Sequence, residues 1–150
     1  MKLVIQRVKN AAVTADGTLS GSIENGLLAL LGVVEGDTEE KAQYLAGKTA
    51  RLRIFTDEDD KLNLSVQDVK GSVLVVSNFT LAGDCKKGNR PSFDRAAKQP
   101  DSEGLYLKYV EYLREQGIPV ETGVFGAHME IDMTAWGPIT IVMDTEQMGH

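Results

Sequence analysis

The stretch KLVIQRVKNAAVTADGTLSGSIENGLLALLGVV, residues 2–34, decides the fold class. Leu3 to Val8 is rich in β-branched and aliphatic residues, and Ala11 to Ala15 continues in the same vein. Asp16-Gly17 is a two-residue hairpin signal leading into Thr18 to Ile23, and Asn25-Gly26 marks a second turn. Leu27 to Val34 is then a near-continuous apolar run, the pattern of a strand buried on both faces.

Downstream, the periodicity changes. Asp37 with Glu40 three residues later resembles a capping pair, and Ala42, Leu45, Thr49 and Leu52 recur at helical spacing on one face. The acidic loop Asp57 to Asp60 lacks the glycine and later ligands of a calcium loop and reads as a solvated turn. Ser72 to Phe79 is a strand, followed by a polar loop from Ala82 to Ser92. Ser102 to Gln116 forms a second helix with Leu105, Tyr109, Tyr112 and Leu113 inward, ended by Gly117 and Pro119. Strand patterns return at Val120 to Val124, Met129 to Met133 and Ile139 to Met143, with Trp136-Gly137-Pro138 as a hairpin turn between the last two. Strands dominate and two main helices are inserted, so the class is α+β, in a single domain over residues 1–150.

Composition narrows the function. The formal net charge of −6 argues against a general coat of nucleic acid, yet Lys86, Lys87, Arg90 and Arg95 fall close together and would suit a few phosphates. The single cysteine, Cys85, allows no internal disulfide, and no segment has the apolar length of a signal or a membrane span, so a cytoplasmic setting is expected. A catalytic serine or cysteine needs a base, and the chain has only His128 and the terminal His150. His128, Glu130 and Asp132 alternate along one strand face, which leaves a metal-dependent esterase or amidase as one alternative. No phosphate-cradling glycine motif is present, and neither cofactor nor metal is expected. What stands out is a hydrophobic strand ending in Ser77-Asn78-Phe79-Thr80, and the Gly137-Pro138 interruption.

The run from Ser77 to Phe93, SNFTLAGDCKKGNRPSF, resembles the signature of the D-aminoacyl-tRNA deacylases. Gly123-Val124-Phe125-Gly126-Ala127 followed by Gly137-Pro138-Ile139-Thr140 resembles that family's second signature, and Lys2 to Val8 its first strand. The chain departs from the family at Asn78, where glutamine is usual, and at Ala135, where asparagine is usual.

The resemblance implies a mostly antiparallel, barrel-like sheet core with two helices, and a homodimer with its active site at the subunit interface. It implies hydrolysis of the ester between tRNA and a D-amino acid, the acceptor end of aminoacyl-tRNA being the partner. Backbone N–H groups at Phe79 and Thr80 would receive the developing oxyanion, with Thr80 orienting. A cis Gly137-Pro138 turn would reject L-amino acids, Arg7 would brace that turn, and Ser77, Asn78, Phe125 and Met129 would line the pocket. Lys86, Lys87 and Arg90 would meet phosphates. A non-catalytic binder of charged tRNA or of a free D-amino acid is the other alternative.

Overall fold

The computed structural model describes residues 1–150. Its organising element is β1 (Lys2–Ala15), one 14-residue strand where two were expected. Asp16 (φ 49°) and Gly17 (φ 82°) are both left-handed, as a tight two-residue hairpin requires, and they return the chain into β2 (Thr18–Ile23). β3 (Gly26–Gly32) pairs antiparallel with the first half of β1, and β2 with the second half. β6 (Ser72–Ser77) and β7 (Val120–Thr122) extend the sheet in parallel, so it is mixed rather than purely antiparallel. A small hairpin, β4 (Phe55–Thr56) with β5 (Leu62–Leu64), stands apart, its turn held by the Asp57 carboxylate accepting the Asp59 and Lys61 N–H groups.

The sheet curls until its ends meet. The Ser20 hydroxyl donates to the Thr122 carbonyl at 2.9 Å, joining β2 to β7 and nearly closing a barrel. β3 is buried on both faces, as its apolar run demands. Leu27, Ala29 and Leu31 face the helices, whereas Leu28 packs inside the curl with Val8, Ala11, Val13, Leu74 and Val76. Each fully buried aliphatic side chain of this kind contributes about 1.5–3 kcal/mol.

Two helices cover the outer face. α1 (Glu39–Arg51) buries Ala42, Leu45, Ala46, Thr49 and Ala50. The expected Asp37–Glu40 capping pair does not form. Thr38 occupies the N-cap, while the Asp37 carboxylate is buried against the Met1 ammonium and the Val34 N–H. α2 (Asp101–Glu115) buries Tyr106, Tyr109, Val110 and Leu113, so the inward face is rotated from that expected. Leu105 and Tyr112 are only half-buried, because the Tyr106 hydroxyl reaches the Val75 carbonyl and the Tyr112 hydroxyl reaches out to Glu39. Neither helix is long and apolar enough to cross a membrane.

The largest departure concerns β8 (Met129–Asp144). Trp136-Gly137-Pro138 is no hairpin turn: the strand runs straight through it, antiparallel to β1 along both flanks. Gln6 pairs with Thr140 and Val8 with Ala135, so Trp136 to Ile139 bulge opposite the single residue Arg7. A bulge suits proline, which has no N–H for the ladder. The Gly137–Pro138 and Gln99–Pro100 peptides are both cis.

Candidate active site

β6 leaves the sheet at Ser77, and a 3-10 turn (Phe79–Ala82) begins after Asn78. Gly32, at the end of β3, lets this turn close in: a Cβ there would lie 2.9 Å from both the Asn78 carbonyl and Leu81 Cβ. Asn78 caps the turn. Its carboxamide oxygen accepts the Thr80 N–H at 3.2 Å and also the Thr80 hydroxyl. The Thr80 N–H expected to greet an oxyanion is therefore already occupied. Phe79 opens the turn, so its N–H has no partner within it.

Ser77, Asn78 and Phe79 form one wall of a cleft of about 840 Å³. Leu30, Val76 and Ile131 supply apolar surface, and Phe125, Met129, Gln99 and Ser102 also line it. Phe125 is anchored by Tyr106, with ring centroids 5.6 Å apart. Burial pushes the Tyr106 phenol up to about 12, which leaves it neutral and unsuited to proton transfer near pH 7. A second depression, of about 630 Å³ between the starts of the two helices, has only mixed surface charge and no comparable apolar wall.

Five expected residues thus share the cleft: Ser77, Asn78, Phe79, Phe125 and Met129. Thr80 sits beside it, exposed. Arg7, Gly137 and Pro138 lie elsewhere, at the β1–β8 bulge. Arg7 is 4% exposed, and its Nε donates to the Trp136 carbonyl at 3.1 Å. Its Nη1 donates to the Ile54 carbonyl at 3.1 Å and the Thr56 hydroxyl at 3.2 Å, and the guanidinium lies over the Trp136 ring at 4.1 Å. Burial lowers its pKa from the ordinary guanidinium value, with no carboxylate nearby to offset it. Gly137 has φ +124°, and a Cβ would lie 2.9 Å from Ile139 N, so no other residue fits without strain.

Lys86, Lys87 and Arg90 are exposed, unpaired, and carried on a loop pinned at its base by reciprocal Asp84–Ser92 backbone bonds of 2.8 and 2.9 Å. Arg95 drops out of that patch, because it pairs with Glu146. The metal reading loses its ligand set: no three His, Cys, Asp or Glu side chains gather, and His128 lines the cleft while Glu130 and Asp132 are exposed. Gln99 and Ser102 were missed as cleft residues. Nothing in the local pattern distinguishes Ser102 from any polar residue at a helix start.

The chain's relatives match it nearly end to end in sequence. Residues 4–144 match the family model described as D-Tyr-tRNA(Tyr) deacylase. The chain belongs to the D-aminoacyl-tRNA deacylase family. It is 53% identical over 147 residues to the D-aminoacyl-tRNA deacylase of Bacillus velezensis, covering 98% of this chain and 100% of that one. It is likewise 53% identical over 146 residues to that of Geobacter sulfurreducens, covering 97% and 96%. Among solved structures, the c-Myc DNA Unwinding Element Binding Protein superposes with a TM-score of 0.90 at 37% identity, covering 96% of this chain and 98% of that one. As a family member the chain is an enzyme, a hydrolase of the deacylase type.

Proposed function

We propose that the protein frees tRNA from D-amino acids by hydrolysing the aminoacyl ester, and that it acts on glycyl-tRNA as well. The observation that carries the reading is the Ser77-Asn78-Phe79 strand end, which lines a cleft together with Leu30, Val76 and Ile131 while the 3-10 turn leaves the Phe79 N–H without a partner. An aminoacyl ester is already activated, so orientation and an oxyanion donor suffice. Water adds to the carbonyl carbon, the ester C–O bond breaks, and the ribose oxygen leaves with a proton from that water. The neighbouring ribose hydroxyl of the substrate helps position the water. One well-aimed N–H donor, here that of Phe79, is worth roughly 3 kcal/mol, or about 10²- to 10³-fold.

Selectivity then comes from main chain. Gly137 and Pro138 are exposed on β8, whose only strand partner is β1. A second copy of the chain would bring this bulge into the cleft, so that an L side chain meets backbone while hydrogen or a D side chain passes. Arg7 braces the bulge through the Trp136 carbonyl. Lys86, Lys87 and Arg90 hold acceptor-end phosphates without reading sequence.

Purified protein incubated with D- and L-tyrosyl-tRNA, with and without chelator, tests the reading. D-selective release that survives chelation is the expected result. Equal release of both enantiomers would remove the main-chain filter, and full protection of glycyl-tRNA alongside D-tyrosyl release would remove rejection as its principle. The capped Thr80 N–H favours one other reading, a binder of charged tRNA, which would show as tight binding without release.

A further inference from the structure

Five residues of the polar or charged types are buried as whole residues: Arg7, Thr49, Ser65, Ser102 and Thr145. Four have protein partners. Arg7 is bonded as described, Thr49 shares a bond with the Tyr109 hydroxyl at 2.9 Å, Ser65 accepts the Asp68 N–H at 3.2 Å, and Thr145 accepts the Met1 ammonium at 2.7 Å. Ser102 is the exception. It is 7% exposed; its backbone N–H donates to the Lys98 carbonyl at 3.1 Å, and its hydroxyl has no partner in the protein. No fully enclosed polar side-chain atom of the chain lacks a partner, so the Ser102 hydroxyl keeps a small opening, and Ser102 is one of the residues that line the cleft.

A nearly enclosed hydroxyl without a partner is a standing cost unless something else completes it. We propose that Ser102 is a substrate-binding residue whose hydroxyl bonds the ribose hydroxyl adjacent to the scissile ester of the terminal adenosine. The inference rests on the reading of this cleft as the deacylation site. Location selects the group bound. Ser102 is the second residue of α2, where the positive end of the helix dipole disfavours an ammonium and suits an oxygen. The substrate's amino group is thereby directed away from this wall. The apolar surface of Leu30, Val76 and Ile131 is left for the base or the amino-acid side chain.

The test compares wild type and Ser102→Ala with two non-hydrolysable amide-linked D-tyrosyl-adenosine analogues, one with the ribose hydroxyl beside the amide and one without it. Hydrolysis of D-tyrosyl-tRNA by wild type is followed in parallel. Expected is about tenfold weaker binding of the hydroxyl analogue by the variant, the worth of one hydrogen bond, with equal binding of the deoxy analogue. The melting temperature should stay level or rise, since the lost hydroxyl had no protein partner. Unchanged affinity, an equal loss for both analogues, or a lowered melting temperature overturns the role of Ser102. Failure of wild type to cleave D-tyrosyl-tRNA overturns the deacylase reading itself, whatever the variant does.

Discussion

Asn78 and Thr80 are bound to each other twice: one carboxamide oxygen receives both the backbone N–H and the hydroxyl of Thr80. An amide oxygen is no base. The Thr80 hydroxyl therefore has nothing to take its proton, and the Thr80 N–H is not free to meet an anion.

Thr80→Ala should retain a substantial part of the hydrolytic activity, losing at most about tenfold, the worth of one hydrogen bond. Single-turnover rates on D-tyrosyl-tRNA measure it. A loss of about 10⁴-fold or more, with an intact circular dichroism spectrum, would mark Thr80 as a nucleophile instead.

Asn78→Gln lengthens the side chain and should pull the cap off the 3-10 turn. Losing such a cap costs about 1 kcal/mol, read as a lower urea midpoint at constant m. The freed Thr80 N–H then becomes a second oxyanion donor and should raise kcat, by up to about 10²-fold if it is well aimed. A weaker fold with unchanged kcat would show that this N–H does not face the reacting carbonyl.

Arg7→Leu leaves the Trp136 and Ile54 carbonyls without their donor in a buried place. The expected loss is about 2 kcal/mol, and Arg7→Lys should recover only part of it because an ammonium lacks the planar fork. If the urea midpoint of Arg7→Leu matches wild type, the bulge does not depend on this brace.

Charge reversal at Lys86 and Lys87 removes two of the loop's three free cations. Affinity for tRNA should fall, and the slope of log K against log salt should flatten by roughly 1.5 for two lost phosphate contacts. An unaltered slope would take the loop out of the interface.

Glu39 has its pKa lowered chiefly by the Tyr112 hydroxyl, then by Lys108. A carboxylate depressed in the folded state stabilises above its unfolded value, near 4.5, and that contribution fades as pH falls through the lower folded value. Tyr112→Phe should therefore shrink the gap between melting temperatures at pH 6 and pH 3. Identical acid limbs for both proteins would show that the contact does not persist in solution.

Much of the architecture was legible because its causes are local. The Asp16-Gly17 turn, the doubly buried run at β3 and the glycine-terminated second helix each follow from backbone preference or from the spacing of apolar residues within one element. Within the cleft, Ser77, Asn78 and Phe79 were legible as a polar end on an apolar strand. The α2 face was misread because Tyr106 answers to Val75, 31 positions away, rather than to its own helix.

Sequence alone determined the main strands and both helices, the Asp16-Gly17 turn and the family, since each depends on neighbours along the chain. Tertiary structure decided that Gly137-Pro138 is a bulge rather than a turn, for β1 pairs with both of its flanks and Arg7 reaches across 129 positions to hold it. It also decided that Arg95 is neutralised by Glu146 and that Ser102 is left alone in the cleft wall. Hydrogen-bond partners and enclosure belong to the packed chain, because distant segments supply them and no local pattern records which segments will meet.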